Sequence, residues 1–206
     1  MTDLLDRAPR ALGDASLRAM FAARKQVFVD LLKWDLPVLA GEYELDQFDD
    51  PDAEYLILLD SDGRHRASAR LLKTDRPHLL GDLYPFLCAG AVPAGPTTRE
   101  ITRFCLDRHQ SAADRRSARN QLVTALVDHA LRERITDYTG VAELGWFAQI
   151  LGFGWHCAPL GRAVEQSGRL LAALHIQIDD RSIDGLRRTG VYAPLTLQLA
   201  EEELAA

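Results

Sequence analysis

Apolar residues recur every three or four positions near the start of the chain. Leu17, Met20, Phe21, Phe28 and Leu31 or Leu32 share one side of a helix that Asp14 or Ser16 would cap, and Arg24 interrupts that apolar side. Residues 34–53 lose the period and carry Pro37, Gly41 and Pro51, so they read as a long ordered loop, a kind that more often carries function than decoration. "EYLILL" and "RHRASARLLK" flank "DSDG", which predicts a β-hairpin with Asp62-Gly63 at its turn. "GDLYPFLCAG" reads as a short helix, "VPAGPTT" as a proline-broken connection and "REITRFCLD" as a strand. The longest helical pattern covers 111–134, with Leu122, Ala125, Leu126, His129 and Leu131 on its inner side. A strand in "DYTGVAEL", a helix in "LGWFAQILGF" and a strand in "RLLAALHIQI" follow. Helices and strands interleaved in this way predict layers packed around one mixed sheet, with no internal repeat or low-complexity tract.

Length and composition fit that picture. The 206 residues suit a single domain over 1–206 with enough chain for a sizeable core, and 47% hydrophobic with 26% charged residues excludes a disordered or fibrous chain. The opening "MTDLLDRAPRALGD" has acids where a secretory leader needs bases, and no run reaches the roughly 18 apolar residues of a membrane span. A soluble cytoplasmic protein without membrane insertion is expected. Cys88, Cys105 and Cys157 are odd in number and contain no CxxC pair, so they are expected to be buried thiols rather than disulfide or zinc ligands. The net charge of −6 disfavours a nucleic-acid partner, which calls for a basic footprint, and favours a small-molecule or protein substrate. The histidines show no metal-ligand spacing.

Charge patterning supplies the candidate chemistry. The polar residues that violate their local pattern are Arg24 on an apolar helix face, Asp46 and Asp49 in "ELDQFDD", Arg70 in a hairpin strand, and Glu100 with Arg103 in "REITRF". Three acids thus meet three bases. At an effective dielectric of about 20, opposite charges about 4 Å apart attract by roughly 4 kcal/mol before desolvation, enough for a paired network but not for isolated buried charges. Asp46, Asp49, Arg70 and Arg103 are therefore expected to pair with one another, leaving Glu44 and Asp50 as solvated neighbours. The loop lacks the DxDxDG pattern with glutamate at the twelfth position, so calcium is not expected and no metal site is assigned. Arg115, Arg116 and Arg119 stand at the start of the long helix, against its dipole; they are either a solvated face or, with Arg108, a dock for an anionic partner.

Together, "RKQVFVDLLKW", "YELDQFD", "ARLLKT" and "REITRFC" fall in the order and spacing of the acyl-homoserine lactone synthases, and over about residues 20–160 the chain resembles that LuxI-type autoinducer synthase family. The resemblance implies a GNAT-like α/β/α sandwich with a mixed, V-shaped central sheet. It implies an acyltransferase that joins an acyl group, from acyl-CoA or an acyl carrier protein, to the amine of S-adenosylmethionine, with lactonisation and loss of methylthioadenosine. Both are substrates; no cofactor is implied. By the same resemblance Glu100 is the catalytic base, and Arg24, Phe28, Trp34, Asp46, Asp49, Arg70, Arg103 and Phe104 form the wall around S-adenosylmethionine. A base is needed because the attacking amine must be neutral. The acyl pocket is assigned to Leu122, Ala142, Trp146, Leu151 and Phe153, and Arg108, Arg115, Arg116 and Arg119 to donor phosphates or carrier docking. Ala142 stands where the family often has a threonine tied to 3-oxo donors, which points away from a 3-oxo substrate unless Thr139 takes that place.

Residues 100 and 103 are three apart, so on a regular strand they would face opposite sides. A shared site requires a β-bulge or an early strand start in "REITRF", and the same splayed region would leave backbone N–H groups for a thioester carbonyl. Two other readings remain: a GNAT-type N-acyltransferase of different specificity using acyl-CoA, and a non-catalytic ligand-binding module. A salt bridge to Arg103 is the other reading of Glu100, and the two roles can coexist.

Overall fold

The computed structural model describes residues 14–194. The opening stretch read above for a leader lies outside them, apart from Asp14. That residue caps α1 (Ala15–Arg24), its carboxylate accepting from the Ser16 and Leu17 N–H groups. The expected single helix then changes form, because residues Lys25–Leu31 continue as a π-helix. The wider turn brings Phe28 and Trp34 into a stack, 4.9 Å between ring centroids and 21° between planes. Within the long loop, β1 (Val38–Leu39) and β2 (Tyr43–Glu44) form a two-residue antiparallel ladder that the sequence did not predict.

The predicted hairpin is β3 (Glu54–Leu59) and β4 (His65–Lys73), turned by "DSDG". Asp60 Oδ1 accepts from the Asp62 and Arg64 N–H groups, and Gly63 supplies the positive φ of 75°. Next come α2 (Leu79–Leu83), a 3₁₀ turn (Pro85–Leu87), β5 (Thr98–Leu106), α3 (Ala112–Glu133), β6 (Asp137–Glu143) and α4 (Leu144–Leu151). The chain continues through β7 (His156–Pro159), β8 (Val164–Gln166), β9 (Arg169–Gln177) and α5 (Ser182–Arg188). The sequence pattern predicted β9 but not β7, β8 or α5.

These strands build a seven-stranded sheet in the order β3-β4-β5-β6-β9-β7, with β8 also on β9. Every ladder is antiparallel except β5–β6, which is parallel and short, running only from Thr98↔Asp137 to Ile101↔Gly140. Beyond it β5 stays with β4 and β6 stays with β9, so the sheet opens into a V. Gly140 sits at the fork, where a Cβ would lie 3.1 Å from the Ile101 carbonyl oxygen.

The two faces of the sheet are covered differently. On one, α3, α4 and α5 enclose the main apolar core, with Leu122, Val123, Leu126, Tyr138, Ala142, Phe147, Ile150, Phe153 and Leu186 among its buried members. Ser111 caps α3 by accepting from the Asp114 N–H. Leu122 and Leu126 are buried as the periodicity requires, whereas Leu131, expected inside, is 41% exposed near the end of the helix. On the other face α1 packs through Met20 and Phe21, and α2 with the 3₁₀ turn packs Leu80 and Leu87 against Ala173. Of the three thiols Cys105 is fully buried and Cys88 and Cys157 only partly; all are free. Among the described residues no helix is long and apolar enough to cross a membrane.

Candidate active site

The helix change after Arg24, the ordered loop and the arm of β5 beyond the fork meet on the α1 face. Arg24, fully buried, gives Nε to Glu44 at 2.6 Å and both terminal nitrogens to Asp49 at 2.8 Å. Arg70 on β4 binds Asp46 through two nitrogens at 2.6 and 3.0 Å, Asp49 at 2.8 Å and the Thr102 hydroxyl at 2.9 Å. Arg103 donates to Glu44 at 3.0 Å and to Asp46 at 2.6 Å. The Tyr55 hydroxyl and the Asp46 N–H complete Asp49. Burial pushes the Asp49 carboxyl up, but Arg24 and Arg70 outweigh it and hold the group well below the usual carboxylate range. Three carboxylates and three guanidiniums therefore close a neutral buried cluster, and its carboxylate oxygens are occupied by arginines rather than left for a metal. Each guanidinium also lies over a ring: Arg24 over Phe21, Arg70 over Phe48 and Arg103 over Phe28, at 5.1, 5.9 and 5.7 Å.

Two expectations are corrected here. Glu44 is not a solvated neighbour: it is fully buried and is the third acid of the cluster. Glu100 is not that acid and makes no salt bridge to Arg103; one of its oxygens accepts from the Leu80 N–H of α2 at 2.9 Å, and Oε2 has no protein partner. Burial pushes the Glu100 carboxyl up to about 8, against the pull of the α2 backbone N–H groups and of Arg70. Asp50 stays peripheral, paired with Arg76.

The bulge required by the Glu100–Arg103 spacing is present. Ser68↔Cys105 and Arg70↔Thr102 leave one extra residue on β5, and Arg103 sits there with φ 50°. A left-handed backbone costs a non-glycine residue about 1–2 kcal/mol, a strain that the Glu44 and Asp46 contacts of its side chain offset. The bulge puts Thr102 and Arg103 on the charged face and sends Phe104 through to the other, a correction to its expected place in the wall around S-adenosylmethionine. There Phe104 meets Trp146 at 5.3 Å, and Trp146 meets Phe153 at 5.7 Å.

Among the expected acyl-pocket residues, Leu122, Ala142 and Phe153 are buried in this apolar region and Trp146 packs against it. Leu151 is a correction: it is 42% exposed, because on α4 its neighbour Ile150 takes the inward position. Thr139 cannot replace Ala142, since it stands one place beyond Tyr138, whose hydroxyl donates to Leu126 on α3; Thr139 therefore faces the α2 side and Ala142 the α3 side. Arg108, Arg115 and Arg116 are exposed beyond the tip of β5 and at the start of α3, and the half-buried Arg119 lies over Phe153 at 5.2 Å. Phe28 is buried, while Trp34 is half-buried with an indole N–H that has no protein partner.

Comparison with known proteins agrees with this architecture. The family model described as "Autoinducer synthase" matches residues 10–186. An acyl-homoserine-lactone synthase of Ralstonia nicotianae is 34% identical over 84% of this chain and 85% of its own. The solved CoA-dependent acyl-homoserine lactone synthase BjaI, in complex with SAM and isopentyl-CoA, superposes with a TM-score of 0.79 at 25% identity, covering 89% of this chain and 86% of that one. A putative N-acetyltransferase from Lactobacillus plantarum shares the fold alone, with a TM-score of 0.52 at 17% identity over 81% of this chain and 94% of that one.

Proposed function

The chain belongs to the autoinducer synthase family, and from that premise we propose how its residues divide the work of the acyltransferase that makes an acyl-homoserine lactone from S-adenosylmethionine and an acyl thioester. The observation that carries this division is the fork between β5 and β6. On one side stand a buried carboxyl with one unpartnered oxygen and a neutral charged cluster, and on the other an aromatic and aliphatic pocket.

S-adenosylmethionine carries a sulfonium, an ammonium and a carboxylate, and it lies on the α1 face. The Phe28–Trp34 stack covers it, and the Trp34 indole, a donor only, is free to reach it. The Arg24–Arg70–Arg103 cluster with Asp46, Asp49 and Glu44 holds the wall rigid rather than contributing loose charges. The acyl group enters through the fork toward Phe104, Ala142, Trp146 and Phe153. The edge of β5 beyond Ile101, which has no ladder to β6, gives backbone N–H groups for the thioester carbonyl.

Glu100 accepts a proton from the substrate ammonium. An α-amine has an ordinary pKa near 8, so a carboxyl pushed to about 8 makes that transfer close to thermoneutral. The amine lone pair then attacks the thioester carbon, and as the adduct collapses the C–S bond breaks and the nitrogen's surplus proton passes to the departing thiolate, leaving a neutral amide and a free thiol. The methionine carboxylate closes the lactone on the carbon bearing the sulfonium, whose electron pair departs with methylthioadenosine.

The absence of a hydroxyl at Ala142 favours donors without a 3-oxo group. Arg108, Arg115, Arg116 and Arg119 receive the donor's phosphates, from coenzyme A or from a carrier protein's pantetheine arm. The two substrates suffice without a further cofactor, and the reaction runs in the cytoplasm.

Incubation with S-adenosylmethionine and a panel of acyl-CoA and acyl-carrier thioesters, followed by mass spectrometry, should give an N-acyl-homoserine lactone and methylthioadenosine from at least one unsubstituted, hydroxylated, branched or aryl donor. No such product from any donor would defeat the proposal.

A further inference from the structure

Glu100 is fully buried, and a base that takes one proton per turnover must lose it again while substrates and products fill the mouth of the fork. On the α2 face its neighbours across the sheet are polar. The register Glu100↔Thr139 on β5–β6 continues as Thr139↔His175 on β6–β9, so the three residues form one lateral row. Their common orientation is fixed by what lies on either side of them. Tyr138 faces α3, Leu174 and Ile176 belong to the core on the α3 side, and Ala173 packs with Leu80 on the α2 side.

Thr139 is fully buried and its hydroxyl has no protein partner, like Glu100 Oε2 beside it. Two adjacent buried polar atoms left unpaired each cost about 1–3 kcal/mol, a combination stability alone does not favour. Neighbouring strands are about 4.8 Å apart, which suits one bridging water between carboxyl and hydroxyl. At the far end of the row the His175 Nε2–H donates to Asp137 Oδ1 at 2.7 Å, and the two side chains are 26% and 27% exposed. Asp137 is the first residue of β6, at the end of the parallel ladder remote from the fork. The row thus runs from the buried base to solvent on the side away from the substrates.

We propose that Thr139 and His175, with Asp137 orienting the imidazole, form a proton exit from Glu100 to solvent. The inference rests on the reading of Glu100 as the base. The proton on Oε2 passes through the bridging water to the Thr139 oxygen, the hydroxyl's own proton moves on toward His175, and the imidazole delivers a proton to water; the carboxylate is restored and nothing is oxidised or reduced. Of the other charged groups, Arg70 on β4 and Asp82 on α2 act on Glu100. Thr139 and His175 are positioning and relay residues that need not touch substrate.

The test is steady-state methylthioadenosine release in H₂O and D₂O by the wild type, Thr139→Val, Thr139→Ser and His175→Gln, each checked for folding by circular dichroism. Thr139→Val should lower kcat about tenfold or more with KM for both substrates unchanged and a larger solvent isotope effect, because proton release becomes limiting. Thr139→Ser should restore it. His175→Gln, at a partly exposed position, should lower kcat in the same way. Wild-type kcat and isotope effect in both Thr139→Val and His175→Gln would overturn the exit, as would a Thr139→Val defect that Thr139→Ser leaves unrepaired. A wild type that turns over no donor at all would instead sink the function on which the exit depends.

Discussion

The two faces of the central sheet solve opposite problems. Toward α3, buried leucines, valines and aromatics exclude water from a continuous apolar core; toward α1 and α2, the largest fully buried side chains include Arg24 and Arg70. Burying a paired charge is at best a modest source of stability, whereas burying apolar area is the dominant one. The α3 face therefore holds the fold, and the α1 face holds a shape and a charge pattern. At the fork Arg103 and Phe104 are consecutive, yet one joins the charged cluster and the other the apolar pocket. A reaction between a zwitterionic sulfonium and an acyl chain needs both environments within a few ångströms.

The contrast can be broken most severely from its charged side. Arg70→Ala leaves Asp46 and Asp49 buried with too few partners and should cost about 3–5 kcal/mol in chemical denaturation, together with nearly all turnover. On the apolar side, Leu186→Ala removes a fully buried core residue on α5 and should cost about 2–5 kcal/mol while leaving KM for S-adenosylmethionine unchanged. Equal loss of substrate binding in both variants would erase the distinction. Glu100→Gln should slow methylthioadenosine release by about a hundredfold or more without loss of stability at pH 8.

Carboxylates on the charged face should also respond oppositely to pH. Glu100 has a folded-state pKa raised from 4.5 to about 8, so between those values the folded chain binds more protons than the unfolded one. Its contribution should make stability fall as pH rises through that window and level off above it. Asp49 is depressed, so its contribution is present above the ordinary carboxylate pKa and is lost as the solution is acidified. Denaturation from pH 4.5 to 9 in Glu100→Gln should lack the falling component. Smallest of all, Leu151→Ser and Asp50→Asn should shift stability by no more than about 0.5 kcal/mol, whereas Glu44→Gln should cost about 1.5–3 kcal/mol through its bonds to Arg24 and Arg103.

The charged face was legible in the sequence because its residues break local rules: Arg24 in an apolar stripe and acids crowded into a loop without periodicity are visible before any folding. The β5 bulge was legible for a similar reason, since a three-residue spacing on a strand is incompatible with one shared face. Glu44 was not legible. It differs from Asp50 only in whether β2 carries it inward, and a two-residue strand leaves no periodic signal. The π-helix after Arg24 escaped because three-to-four spacing of apolar residues fits an α-helix equally well over so few turns. β7 and β8 are short and partly exposed, so alternation had little to report. His175, and the row it forms with Thr139, escaped because a polar residue in a strand looks solvated until the register shows which neighbours surround it.

The central claim is that a buried carboxyl with one unpartnered oxygen, beside a neutral charged cluster, is the base of the acyl transfer. The most direct measurement is kcat/KM for S-adenosylmethionine from pH 6 to 9.5, by methylthioadenosine release, in the wild type and in Glu100→Gln. The account predicts a wild-type profile that rises with pH through an apparent pKa of about 8 and a variant that is slow throughout and lacks the carboxyl's share of that rise. A Glu100→Gln enzyme with the wild-type rate and profile would contradict it.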